Sequence, residues 1–168
     1  MNTRTRIALA GAVLTASTIA FVPSAAAEER TCRGAIGATT LDNVRVPTGA
    51  TCTLTGTVLK GTLKVEQGGT LLATRVRVTG NVQSEGHRYV RVLDSSVGGS
   101  IQLKQGSALD LRRNVVTGDI QLFTNTSGAK YVYSNRVNGN LQCKENRPAP
   151  VGSGNIVGGN KEDQCARL

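Results

Sequence analysis

Few residues of this chain are chemically equipped for catalysis, and their spacing decides what remains of that prospect. His87, the only histidine, stands in Glu85-Gly86-His87-Arg88, a turn-like stretch with no serine or cysteine nucleophile beside it, and is expected to be an exposed turn residue. Asp94 lies 19 residues from both Arg75 and Arg113, and Asp110 lies 19 after Arg91. That pattern predicts alternating charge along a solvated sheet face. Glycoside hydrolysis needs two acids on one face, and calcium-assisted lyase chemistry needs several clustered acids; aligned positions supply neither. The Gly-x-Gly forms, such as Gly152-Ser153-Gly154, follow no phosphate-binding spacing. No catalytic residue, metal or cofactor is expected.

One pattern favours binding over catalysis. Tyr131 and Tyr133 sit two apart with Val132 between them, so a strand would turn both rings the same way. Asp110 and Arg112 precede them by 21 residues, and Arg91 precedes Asp110 by 19. Stacked in register, these five would put aromatic faces beside charged hydrogen-bonding groups, a combination that suits a sugar ring. The stretch Asn125-Thr126-Ser127-Gly128 would wall one side, and Asn125-Thr126-Ser127 also matches the glycosylation triplet.

Such stacking needs a repeat, and the glycines reveal one. Gly61-Thr62-Leu63-Lys64-Val65, Gly80-Asn81-Val82-Gln83-Ser84, Gly99-Ser100-Ile101-Gln102-Leu103, Gly118-Asp119-Ile120-Gln121-Leu122 and Gly139-Asn140-Leu141-Gln142-Cys143 begin 19, 19, 19 and 21 residues apart. Asp42-Asn43-Val44-Arg45-Val46 lies 19 upstream, and Gly159-Asn160 begins a truncated copy 20 downstream. Apolar residues alternate with Lys64, Gln83, Gln102, Gln121 and Gln142, which must face out. A second strand precedes each glycine: Leu71 and Ala73, Val90 and Val92, Leu109 and Leu111 point inward. A third inward pair follows: Val76 and Val78, Asn114 and Val116, Asn135 and Val137, Asn155 and Val157. The asparagines predict a buried amide ladder at one corner. Three short strands per repeat describe a coil whose equivalent residues stack about 4.8 Å apart.

Over Asp42 to about Gly159 the chain resembles the secreted parallel β-helix repeat proteins of small bacterial type. The resemblance implies an all-β, single-domain β-solenoid of about six coils, right-handed rather than left-handed, since strict hexapeptide coils would step by 18. Larger relatives are polysaccharide lyases or hydrolases, and others are adhesins or bactofilin-like polymers. The resemblance marks the fold and hardly the activity.

Four cysteines without a Cys-x-x-Cys, far from His87 in sequence, predict two disulfides rather than a metal site. Cys52 falls one coil after Arg33, beside Cys32, and Cys143 one coil before Asp163, two from Cys165. The expected pairs are therefore Cys32–Cys52 and Cys143–Cys165, one near each end.

Arg4 and Arg6, the apolar Ile7 to Val22 and the exit Pro23-Ser24-Ala25-Ala26-Ala27 predict a signal peptide over residues 1–27, cleaved before Glu28. Residues 28–168 are then one secreted, extracellular domain, with no membrane attachment after cleavage. Its net charge is +7, since the leader holds two of the arginines behind the full +9. The cations are scattered and no nucleic-acid motif accompanies them. The exposed columns, such as Asn43, Thr62, Asn81, Ser100, Asp119 and Asn140, are too mixed for an ice-binding face. The leading expectation is a non-enzymatic binding or scaffold module whose partner is a cell-wall or extracellular polysaccharide. A small polysaccharide-active enzyme and a self-assembling structural protein are the alternatives.

Overall fold

The structure is a computed structural model that describes residues 28–168; the expected signal peptide lies outside the described residues. Each repeat forms one coil of three short strands joined by tight corners. The 22 strands make one eight-stranded and two seven-stranded sheets, and every ladder is parallel. The first sheet contains the post-glycine strands, such as Ile101–Lys104; the second contains Tyr89–Leu93, Ala108–Arg112 and Lys130–Tyr133; the third contains pairs such as Arg77–Val78 and Arg136–Val137. The molecule is an all-β solenoid of about seven coils.

One more coil is present than expected. Its strands are Glu29–Thr31, Ala35–Ile36 and Thr40–Leu41. They set Glu29 beside Asn43, Ala35 beside Thr53 and Thr40 beside Val58, each a shorter step than the regular coils take. This coil lacks both the glycine and the regular period, so periodicity could not reveal it. The same shortening aligns Gly34, not Arg33, with Cys52. The disulfides nevertheless join Cys32 to Cys52 and Cys143 to Cys165, with Cα atoms 5.5 and 5.2 Å apart.

Alternation sends Leu63, Val82, Ile101, Ile120 and Leu141 into the interior, all fully buried. Stacked aliphatic columns fill a narrow bore that has no need of aromatic bulk. The repeating glycine has a steric cause. At Gly61, Gly99, Gly139 and Gly159 a Cβ would collide with a side-chain oxygen from the preceding coil: Asn43, Asn81, Asp119 and Asn140 respectively. Those side chains are not simply exposed, as the sequence implied. They lean across the corner, accepting bonds from the backbone N–H groups of Thr62, Ser100, Asn140 and Asn160 at 2.7–2.8 Å.

The amide ladder exists, between the second and third sheets. Asn114 donates to Asn135 Oδ1 through its backbone N–H (3.1 Å) and Nδ2 (3.0 Å), and Asn135 does the same to Asn155 (3.0 and 3.0 Å). Their Nδ2 groups, with that of Asn155, also donate to the carbonyls of Val92, Leu111 and Val132. A second ladder, unanticipated, turns the corner between the first and second sheets: Asn125 bonds Asn146, and Asn146 bonds Gln164, in the same manner. Asn125 is fully buried within it, so the glycosylation triplet offers no acceptor in the folded chain.

Candidate ligand-binding site

All five residues singled out for binding lie on the outer face of the second sheet, on three successive strands. Parallel register sets Arg91 beside Asp110, Asp110 beside Tyr131, and Arg112 beside Tyr133. Inward-facing Val90, Val92, Leu109, Leu111 and Val132 are fully buried and anchor these strands from below. The platform is therefore positioned by core packing rather than by a mobile loop.

The Tyr131 and Tyr133 ring centroids are 6.4 Å apart, with planes inclined at 32°. The Arg112 guanidinium lies 5.3 Å from each centroid, within cation–π range of both. Its Nε donates to Asp110 Oδ1 at 2.5 Å, and that bond is the main reason its pKa is raised. Sequence spacing had placed Asp110 in charge alternation with Arg91. Its bonded partner is instead Arg112, two residues along the same strand and on the same face. Arg91 makes no such bond, and its Nε is buried without a hydrogen-bond partner.

Tyr89 belongs to the same face and was missed. Burial, and after it the Asp110 carboxylate, raise its pKa. It has no aromatic neighbour in its column, since Ala108 follows it one coil on, so only its position two before Arg91 pointed to the platform.

The charges of Arg75, Asp94 and Arg113 do not lie on a sheet face. They occupy the corner between the second and third sheets, each with positive φ (52°, 52° and 54°). Arg113 grips Asp94 with two bonds, Nε to Oδ1 at 2.5 Å and Nη2 to Oδ2 at 2.9 Å, which lowers the Asp94 pKa. Arg75 contributes a smaller through-space attraction.

Two further groups differ from expectation. His87 is not an exposed turn residue: it is 1% exposed, with both ring nitrogens unpartnered. Burial first, and the nearby Lys130 charge second, push its pKa down to about 4. Lys130 is also buried. Its Nζ donates to the carbonyls of Ser127, Gly128 and Arg147 at 3.0, 2.8 and 2.9 Å, pinning the enlarged turn before the tyrosine strand. Both were legible in principle. Lys130 aligns with Leu109 and shares the inward parity of Val132. His87 stands one repeat before Gly106, where the missing side chain leaves room for the ring.

Among the described residues, Asp110 is the only carboxylate on the outer face of the second sheet. No three His, Cys, Asp or Glu side chains among those residues come together as a metal-binding group. A scan against protein-family models and searches of curated proteins and solved structures find no match to this chain. The platform offers the paired Tyr131 and Tyr133 rings, with Tyr89 on the same face, guanidinium donors and one carboxylate acceptor, all fixed on a rigid sheet. That set can recognise a ligand with apolar faces and a hydroxyl-bearing rim.

Proposed function

We propose that the protein is an exported, non-enzymatic binding module whose ligand is a polysaccharide of the cell wall or extracellular matrix, held on the second sheet. The observation that carries this reading is the tyrosine pair bridged by Arg112, which is itself tied to Asp110. Sugar rings stack on aromatic faces and trade hydroxyl hydrogen bonds with flanking charged groups. Groups already held in place lose little entropy on binding. Export is supported by the leader-like segment 1–27 and by two disulfides, which persist in oxidising compartments.

Affinity electrophoresis through gels containing pectin, alginate, xylan or dextran tests the proposal. At least one polymer should retard the protein, and the double variant Tyr131→Ala, Tyr133→Ala should migrate freely while keeping its thermal midpoint. A folded double variant with full retardation would refute the site. Release of reducing or unsaturated sugars from any of these polymers would refute the non-enzymatic reading.

A further inference from the structure

We infer that the ligand is a linear glycan bearing repeated oxyanions, carboxylate or sulfate, held by a band of arginines running from the tyrosine platform round the corner onto the third sheet. This rests on the preceding reading that the ligand is a polysaccharide, and it names the class.

The band comprises Arg91 and Arg112 on the second sheet, Arg75 and Arg113 at the corner, and Arg77 and Arg136 on the third sheet. Every outward cation of this surface is arginine; Lys60, Lys64, Lys104, Lys144 and Lys161 all lie elsewhere. The guanidinium fork matches carboxylate and sulfate oxygens in pairs, which an ammonium does not. Only two acids share the surface. Asp94 is bonded to Arg113 and Asp110 to Arg112. Six arginines less two carboxylates leave a net +4 here, of the +7 carried by residues 28–168.

Arg75, Arg77 and Arg136 have no carboxylate within ion-pairing distance among the described residues. A groove of about 510 Å³ beside the corner is lined by Arg75, Arg77, Asp94 and Arg113, with exposed Val115 also in its wall. The arginines fall on four consecutive coils. At one strand spacing per coil the band extends about 14 Å along the axis. That length suits a polymer with repeating charges better than a single ion. The tyrosine pair at one margin supplies the ring-stacking surface that a bare polyelectrolyte would not use.

The test compares charged and uncharged forms of one backbone: dextran sulfate with dextran, and polygalacturonate with its methyl ester. The protein should bind at least one charged form about tenfold more tightly than its neutral counterpart at low salt, with the advantage shrinking as salt rises. Arg75→Gln with Arg77→Gln should remove most of that advantage. Lys64→Gln with Lys144→Gln, which removes the same charge from the first sheet, should not. Equal effects of the two double variants would overturn the inference, as would duplex DNA binding as tightly as the charged glycan. Equal binding of charged and neutral forms, abolished by the tyrosine double variant, would sink the anionic class and leave the glycan reading standing. No binding to any glycan would sink both.

Discussion

The imidazole of His87 occupies the space that a side chain at Gly106, one coil later, would need: a Cβ built there would overlap Cε1, Nδ1 and Cγ of the ring. Gly106 does not have a positive φ, so the glycine is required by crowding and not by backbone conformation. Gly106→Ala should therefore destabilise the protein by about 2 kcal/mol, in the range of core overpacking. Gly34→Ala, where nothing lies within 4 Å of the added methyl, should be close to neutral. Urea midpoints of the two variants check this; equal midpoints would contradict the crowding.

The same burial makes stability depend on pH. His87 titrates near 6.5 in the unfolded chain and about 4 in the fold. Between these values the unfolded chain takes up the proton and the folded chain does not. Stability is therefore complete above about pH 6.5 and falls as pH drops, losing on the order of 3 kcal/mol by pH 4. The carboxylates Asp94 and Glu66, whose pKa values are lowered in the fold, add their own losses at more acid pH. His87→Leu should flatten the curve between pH 6.5 and about 4. An unchanged slope in that variant would assign the dependence to other groups.

Asn135 accepts two bonds from Asn114 and donates through Nδ2 to Asn155 Oδ1 and to the Leu111 carbonyl. Asn135→Ala would leave the buried Asn114 backbone N–H without its acceptor and strip one bond each from the Asn114 side-chain amide and the Leu111 carbonyl, at a cost of about 3 kcal/mol. Gln102→Ala removes one half-exposed bond from Gln83 and should cost less than about 0.5 kcal/mol. Thermal unfolding distinguishes a ladder that holds the corner from one that merely decorates it.

The disulfides close loops with sequence separations of 20 and 22. In the chain-entropy account each adds about 3 kcal/mol. Peptide mapping without reduction should link Cys32 to Cys52 and Cys143 to Cys165, and reduction should lower the thermal midpoint markedly. A Cys32–Cys165 link would contradict the register.

The fold was legible because its determinants are local and repeated. Alternation at Leu109-Asp110-Leu111 and at Tyr131-Val132-Tyr133 sets which side each residue faces. The repeat period sets which residues meet across coils, and so the juxtaposition of Arg91, Asp110, Arg112, Tyr131 and Tyr133, though not Tyr89, and both disulfides followed from counting. The first coil escaped because its steps are shorter than the period, a contraction that only the strand pairing of Glu29 and Thr40 exposes.

What the tertiary structure alone decided lies at the corners and in the rotamers. Column arithmetic cannot tell whether a corner residue turns in or out. That depends on the space left by the coil above: Gly106 admits the His87 ring, and the enlarged turn supplies the carbonyls that let Lys130 be buried as a cation. Nor can it choose among competing neighbours. Asp110 neighbours Arg91 across the ladder and Arg112 along the strand, and side-chain packing against Tyr131 and Tyr133 selects Arg112. A strand's parity is written in its own residues, whereas a side chain's partner is settled by everything packed around it.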